Sequence, residues 1–178
     1  MAGMMFDMNQ VEIFKGSQSS VFGANALAGL ISMKTQVPNP FIGGHALFGV
    51  GTDSNMRIGI ALNTPLNPKF MIRTSMFAGA GDGFRNNVFL NKNDTNSKSE
   101  IMFRTKLRWI ISRKIQLDIT AMHSELDNNY DAWSPDNNQE LHTYSDRQGR
   151  DSQESTALSI RSSYRYDSGH KILSITSK

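Results

Sequence analysis

The sequence predicts an all-β chain: about seven long antiparallel strands that form part of a transmembrane β-barrel. Three observations predict it. Beyond Phe41, apolar residues recur at every second position, the period of a strand with one apolar face. The alternating runs reach roughly ten residues, the length a tilted strand needs to cross a bilayer. The short turns fall at one end of these strands and the long polar connectors at the other, as in transmembrane barrels.

Composition narrows the function classes. The chain has 178 residues, of which 38% are hydrophobic and 20% charged, values that place it outside the disordered class. The net charge is +3 and the sequence pI about 9.3. No dense Lys/Arg run marks nucleic acid as a partner. Cysteine is absent, which removes disulfides, thiolate metal sites and cysteine nucleophiles. No run of about 18 apolar residues exists, so no transmembrane helix is expected. A mean hydropathy of -0.41 does not oppose a barrel, whose strands are apolar only at alternate positions.

Taken in order, residues 1–37 are compact and rich in Gly, Ala and Ser. Val11–Phe14 reads as a short strand, Lys15–Gln18 as a turn and Leu30–Thr35 as a second strand. Gly16, Gly23 and Gly29 suit backbone of positive φ or close chain approach. Pro38 and Pro40 punctuate the chain and divide it into regions 1–37 and 38–178.

The alternation follows. Met56, Ile58, Ile60 and Leu62 are interleaved with Arg57, Gly59, Ala61 and Asn63, and Phe70, Ile72, Thr74 and Met76 with Met71, Arg73, Ser75 and Phe77. The clearest run sets Ile101, Phe103, Thr105, Leu107 and Trp109 against Met102, Arg104, Lys106 and Arg108. Ile115–Met122 and Leu158–Tyr166 repeat the pattern. Thr64–Lys69, Ser112–Lys114 and Asp167–Gly169 read as short turns at one end. Residues 81–99 and 127–154 read as long polar loops at the other, with Gly51–Asn55 a short exception there. A soluble β-sandwich also alternates apolar and polar residues. Strand length and the aromatics Trp109, Tyr164 and Tyr166 at strand ends on the apolar face favour the membrane.

Gln10–Thr35 carries a more specific signal. It sets Glu12 between Val11 and Ile13, then runs through Lys15-Gly16-Ser17-Gln18, Phe22-Gly23 and Asn25-Ala26 into a Gly-containing final strand. This stretch resembles the end of the plug domain of TonB-dependent outer-membrane receptors, with Ser17 where that family usually has Pro. Asn63-Thr64-Pro65-Leu66, Phe77–Asn87, Lys106–Trp109, Leu117–Ala121 and Asp131–Asn138 resemble successive barrel segments of siderophore-type members, in the same order. The resemblance implies the C-terminal end of a plug at 1–37 and N-terminal barrel strands at 38–178, located in the bacterial outer membrane. It implies transport of a scarce solute, a ferric siderophore first, with cobalamin, haem or oligosaccharide as alternatives. It implies no enzyme activity and no cofactor. Such receptors are several times longer, and Met1–Met8 lacks the features of a secretory signal, so the chain is expected to be a fragment. Its partners would be the remainder of the receptor, the TonB complex through a preceding segment, the iron chelate and outer-membrane lipid. The rival from another class is a soluble or surface β-sheet protein that binds through its long polar loops.

Candidate site residues follow from these readings. Tyr130 and Trp133, as loop aromatics, and Arg85 are candidates for ligand contact. Glu12, Lys15 and Gln18 on the plug segment, with Arg104, Lys106 and Arg108 on the wall, are candidates for plug–barrel contact. His45, His123, His142 and His170 lack metal-site spacing. Asp127, Asp131, Asp136 and Asp146 share a loop without the Asp-x-Asp-x-Asp-Gly pattern of a Ca²⁺ site, and no metal is expected. Ser124 beside His123 makes no nucleophile pair, because adjacent strand residues face opposite ways.

Overall fold

The computed structural model describes residues 5–136 and 139–178. They form two compact units, Asp7–Val37 and a larger one of Pro38–Lys178 that also takes in Phe6.

In the smaller unit, β1 (Met8–Lys15) pairs antiparallel with β2 (Gly29–Thr35), from Met8 opposite Thr35 to Lys15 opposite Gly29. Their connector holds a one-turn helix, α1 (Ser19–Phe22), that the sequence reading missed. Gly23 ends it at φ +95°, where its N–H caps the Ser19 carbonyl, a conformation that side-chain-bearing residues avoid. The Gln18 N–H donates to the Ala26 carbonyl at 2.8 Å and closes the loop. Ile13, Val21, Leu27 and Ile31 are exposed. A lone two-stranded hairpin with its apolar side chains uncovered is marginal in water.

The larger unit is a seven-stranded antiparallel sheet. Its strands are β3 (Gly43–Val50), β4 (Met56–Asn67), β5 (Phe70–Gly81), β8 (Lys98–Ile110), β9 (Ile115–Tyr130), β11 (Gly149–Arg165) and β12 (Lys171–Ser177), adjacent in that order. Between β5 and β8 lie β6 (Arg85–Asn87) and β7 (Lys92–Thr95), and between β9 and β11 lies β10 (His142–Thr143). These three make a small separate sheet in the order β10-β6-β7. Among the described residues the seven-stranded sheet does not close, and β3 and β12 are its edges.

The two faces of this sheet are inverted relative to a protein folded in water. On β4, Ile58, Ile60 and Leu62 are 50%, 44% and 57% exposed, while Gly59, Ala61 and Asn63 between them are buried. On β5 and β8, Met76, Ile101 and Phe103 are exposed, and Arg73, Ser75, Glu100 and Arg104 are buried. Register carries this division across the sheet: Ile60 lies opposite Met76, Leu107 opposite Ile119, and Ile119 opposite Ile160. One face is therefore a bare apolar surface and the other a covered polar one. From Ile101 to Trp109 the bare face of β8 runs eight residue steps, roughly 26 Å along the strand. That compares with an apolar band of about 25 Å on a membrane barrel.

The covered face has a small apolar centre of Phe6, Ala61, Phe77 and Met102. The Phe6 ring lies 5.2 Å from the ring of His45 and 6.0 Å from that of Phe77. It rests on Gly59, where an added Cβ would stand 2.6 Å from the ring. Phe6, expected within the 1–37 region, thus packs in the larger unit.

Two expectations change in extent. β9 and β11 run 16 and 17 residues, well past the 9–11 that cross a bilayer. They remain paired out to Tyr130 opposite Gly149, so 127–130 and 149–154, the two ends of the expected 127–154 loop, form a polar two-stranded ribbon. Past Ala121 and Leu158 the ladder continues without an apolar face, and the alternation that marks a strand is lost. Edge strand β12 departs too, placing Leu173 and Ile175 on the face that carries Arg161.

Candidate functional site

Chemistry-bearing side chains collect on the covered face and in the long loops. On the covered face, β8 supplies Arg104, Lys106 and Arg108, which must share a side because they alternate with Phe103, Thr105 and Leu107. Arg104 is 4% exposed, and its guanidinium donates to the Phe6 carbonyl. Lys106 lies opposite Arg73 on β5 and Thr120 on β9. Arg108 forks onto Asp118 of β9, with Nε to Oδ1 at 2.7 Å and Nη2 to Oδ2 at 3.3 Å. Its remaining Nη1 donates to the Pro38 carbonyl at 3.2 Å. A bidentate pair of this kind fixes geometry as well as charge.

The same lead-in segment is held a second time by Asn63, which is 2% exposed. Its Oδ1 accepts the Asn39 N–H at 3.1 Å, and its Nδ2 donates to the carbonyls of Asn39 and Phe41 at 2.9 and 2.5 Å. The carbonyls of this stretch, Pro38, Asn39 and Phe41, accept from side-chain donors. Arg108 and Asn63 supply them from two different strands. The sequence offered a faint signal for Asn63: it is the polar member of an otherwise small-residue row, Gly59, Ala61 and Asn63.

At the opposite end of the strands, Asp131 ties the two long loops together. It is 1% exposed and accepts hydrogen bonds from Thr143 Oγ1 at 2.7 Å, Ser145 Oγ at 2.8 Å and Asn87 Nδ2 at 2.9 Å. Asn87, Thr95 and Thr143 are themselves fully buried. Parallel pairing of β6 with β10 continues the bond between loops, with the Val88 N–H on the Thr143 carbonyl at 2.9 Å. Burial pushes the Asp131 carboxyl up, and the donors Thr143, Asn87, Ser145 and Thr95 together outweigh it and hold the group below the ordinary carboxylate value.

A depressed carboxylate of this kind stabilises its surroundings above its unfolded pKa of about 3.9. The contribution is lost as pH falls through the lower folded value. Hydrogen exchange of amides in residues 85–95 and 142–145 is therefore expected to stay slow from neutral pH down to about pH 5 and to accelerate below about pH 4, after correction for intrinsic rates. Protection unchanged into the low-pH range would remove Asp131 as the organiser.

The ligand-contact candidates all belong to this loop body. Tyr130 and Trp133 flank Asp131 and are 61% and 60% exposed. The Trp133 carbonyl accepts the Tyr144 N–H at 3.0 Å. Arg85 begins β6 and lies over the Phe84 ring at 5.6 Å. Of the plug-segment candidates, Glu12 pairs with Lys34 of β2 at 3.0 Å within its own unit. Lys15 ends β1, and Gln18 precedes α1 and accepts the Val21 and Phe22 N–H groups.

Among the described residues no three His, Cys, Asp or Glu groups assemble into a metal site. Asp127 is taken by Arg150 at 2.6 Å, Asp136 accepts from Ser134 at 2.9 Å, and Asp131 is saturated by neutral donors. Sequence reasoning weighed Asp131 only as a cation ligand, because its hydroxyl and amide donors lie 12, 14 and 44 residues away.

No family model matches the chain. Solved structures do. The FpvAI–pyocin S2 complex matches with a TM-score of 0.81 at 15% identity, covering 94% of this chain and 23% of that one. The ferric-catecholate import receptor Fiu from E. coli K12, in its open form, matches with a TM-score of 0.81 at 17% identity, over 97% of this chain and 28% of that one. The ferric yersiniabactin uptake receptor FyuA from Yersinia pestis matches with a TM-score of 0.79 at 18% identity, over 90% and 26%. The chain thus spans about a quarter of the length of the receptors it matches. It has the fold of part of such a receptor: a large antiparallel sheet that matches one sector of the barrel.

Proposed function

We propose that this chain, built as one sector of a siderophore-receptor barrel, is part of a TonB-dependent receptor of the bacterial outer membrane. In this reading Asp7–Val37 is the C-terminal end of the plug and the seven-stranded sheet is the first part of the wall. The parent protein takes up a ferric siderophore, and no bond is made or broken in the solute. The TonB complex engages a segment outside this chain. The observation that carries the reading is the inverted sheet. Its bare face is lined by Ile58, Ile60, Leu62, Phe103 and Ile119, and its covered face by Arg73, Arg104, Lys106 and Arg108. Lipid solvates the first and a wet lumen the second. A soluble β-protein acting through its loops would leave that apolar face in water, an arrangement that marks an interaction surface or aggregation.

Within this reading the loop body held by Asp131 faces outward, and Tyr130, Trp133 and Arg85 contact the arriving solute. The test is uptake by an iron-starved strain with residues 38–178 deleted from the parent receptor. Radioactive iron is supplied on a hydroxamate, a catecholate or a mixed chelator in turn, with haem and cobalamin as further arms. Loss of uptake from one iron chelate supports the proposal. Loss confined to haem or cobalamin changes the solute, and uptake intact in every arm sinks the transport reading.

A further inference from the structure

We infer that the short-turn end of the seven-stranded sheet is a docking rim for anionic phospholipid headgroups, an inference that rests on the membrane-wall reading above. Charge is sorted along the strands. Residues 51–55, 82–98 and 125–154, at the long-loop end, hold eleven of the sixteen Asp and Glu but only five of the nineteen Lys and Arg. The three short turns and the strand ends beside them hold Lys69, Arg113, Lys114, Arg165 and Lys171 against the single carboxylate of Asp167.

Lys69, Arg113 and Lys114 lie in neighbouring turns of this edge, while Arg165 and Lys171 stand opposite each other on the face of Arg161. The Ile110 N–H donates to the Lys69 carbonyl at 2.8 Å, and the Arg165 N–H to the Lys114 carbonyl at 2.9 Å. Backbone bonds thereby tie the neighbouring turns side by side. Lys114 pairs with Asp167 at 2.5 Å. Among the described residues, Lys69 and Arg113 form no ion pair. On the bare face, immediately inside the rim, Phe70 stacks on Trp109 with centroids 5.1 Å apart, and Tyr164 meets Tyr166 edge-on at 4.7 Å.

Aromatic rings of a membrane barrel lie at headgroup level, which puts the cations one step beyond them at the depth of the lipid phosphates. Each Lys or Arg near an anionic surface strengthens attraction by about fivefold. At the other end the bare face finishes with Glu125 opposite Glu154, which repels the same headgroups. The preference is therefore one-ended and helps fix which way the wall sits in the membrane.

The probe is the parent receptor that contains this segment, read against its Trp109→Phe form so that the difference in fluorescence reports Trp109 alone, because the open sheet needs the rest of the wall to stand in lipid. It is inserted into mixed phosphatidylcholine–phosphatidylglycerol vesicles in which one lipid or the other carries bromine on its acyl chains. Trp109 fluorescence is expected to be quenched more strongly when phosphatidylglycerol is brominated, with a preference on the order of fivefold per exposed cation. Lys69→Gln with Arg113→Gln abolishes the difference, and Lys69→Arg with Arg113→Lys preserves it. Equal quenching by the two lipids, or a preference unmoved by the Gln pair, overturns the headgroup rim while leaving the membrane wall standing. Absence of quenching by either lipid overturns both.

Discussion

Ile60→Arg is expected to destabilise the membrane-embedded wall by about 2–4 kcal/mol, the effect of a cation near the bilayer midplane on a lipid-facing strand position. Ile60 lies between Ala46 and Met76 on the bare face and is 44% exposed. In water a half-exposed sheet residue tolerates Arg within about 0.5 kcal/mol, so this variant separates the two solvents sharply. The matched control is Thr120→Glu on the covered face, opposite Lys106, where added charge meets a cation. Its effect is expected within about 0.5 kcal/mol. Urea unfolding of the membrane-embedded protein reads both, and equal effects on the two faces would remove the assignment of lipid to one of them.

Asn63→Ala is expected to cost about 2–4 kcal/mol, since one side chain serves three backbone groups. It takes away the acceptor for the Asn39 N–H and the donor for the Asn39 and Phe41 carbonyls. These bonds are only part-buried, so each group left unpaired costs about 1 kcal/mol, the low end for a lost partner. The loss should be local first, with cleavage by a protease acting between Pro38 and Phe41 rising before the sheet opens. Arg108→Met frees the Pro38 carbonyl and strands Asp118 without its fork, so it should expose the same site. Protease resistance of the segment in both variants would show that it is held by something other than these two side chains.

The strands that lie wholly within the apolar band were legible in the sequence. Alternation on β4, β5 and β8 is strict because, in the proposed membrane wall, a single solvent boundary, lipid on one side and a polar space on the other, acts on every residue. Where that boundary ends, the signal ends. The outer thirds of β9 and β11 are polar on both faces, and Asp127 with Arg150 across the ladder looks like loop composition. β6, β7 and β10 are two to four residues each and owe their existence to a buried carboxylate distant in sequence. The place of Phe6 was hidden for a related reason. Nothing in its neighbourhood predicts that Gly59, Ala61, Phe77 and Met102, drawn from three strands, leave a ring-sized hollow on the polar face.

The candidate site was legible as residue types and not as partnerships. Tyr130, Trp133 and Arg85 were singled out as loop residues by type; the two aromatics are exposed, while Arg85 is half-buried against Phe84. Asp131 was weighed only as a cation ligand, and its role is structural: a saturated acceptor around which both loops fold. Arg108 was recognisable as a face-sharing cation, but its two obligations, to Asp118 and to Pro38, depend on a register no single strand reveals.

The central claim is that the bare face meets lipid and the covered face a wet lumen. The chain lacks cysteine, so single cysteines placed at Phe103, Leu107, Arg104 and Lys106 of the membrane-embedded protein can be labelled without background from this segment. Positions 103 and 107 are expected to react with a lipid-soluble maleimide and resist a charged aqueous one, with 104 and 106 showing the reverse. Lipid-soluble reagent reaching 104 and 106 while 103 and 107 stay protected would contradict the account.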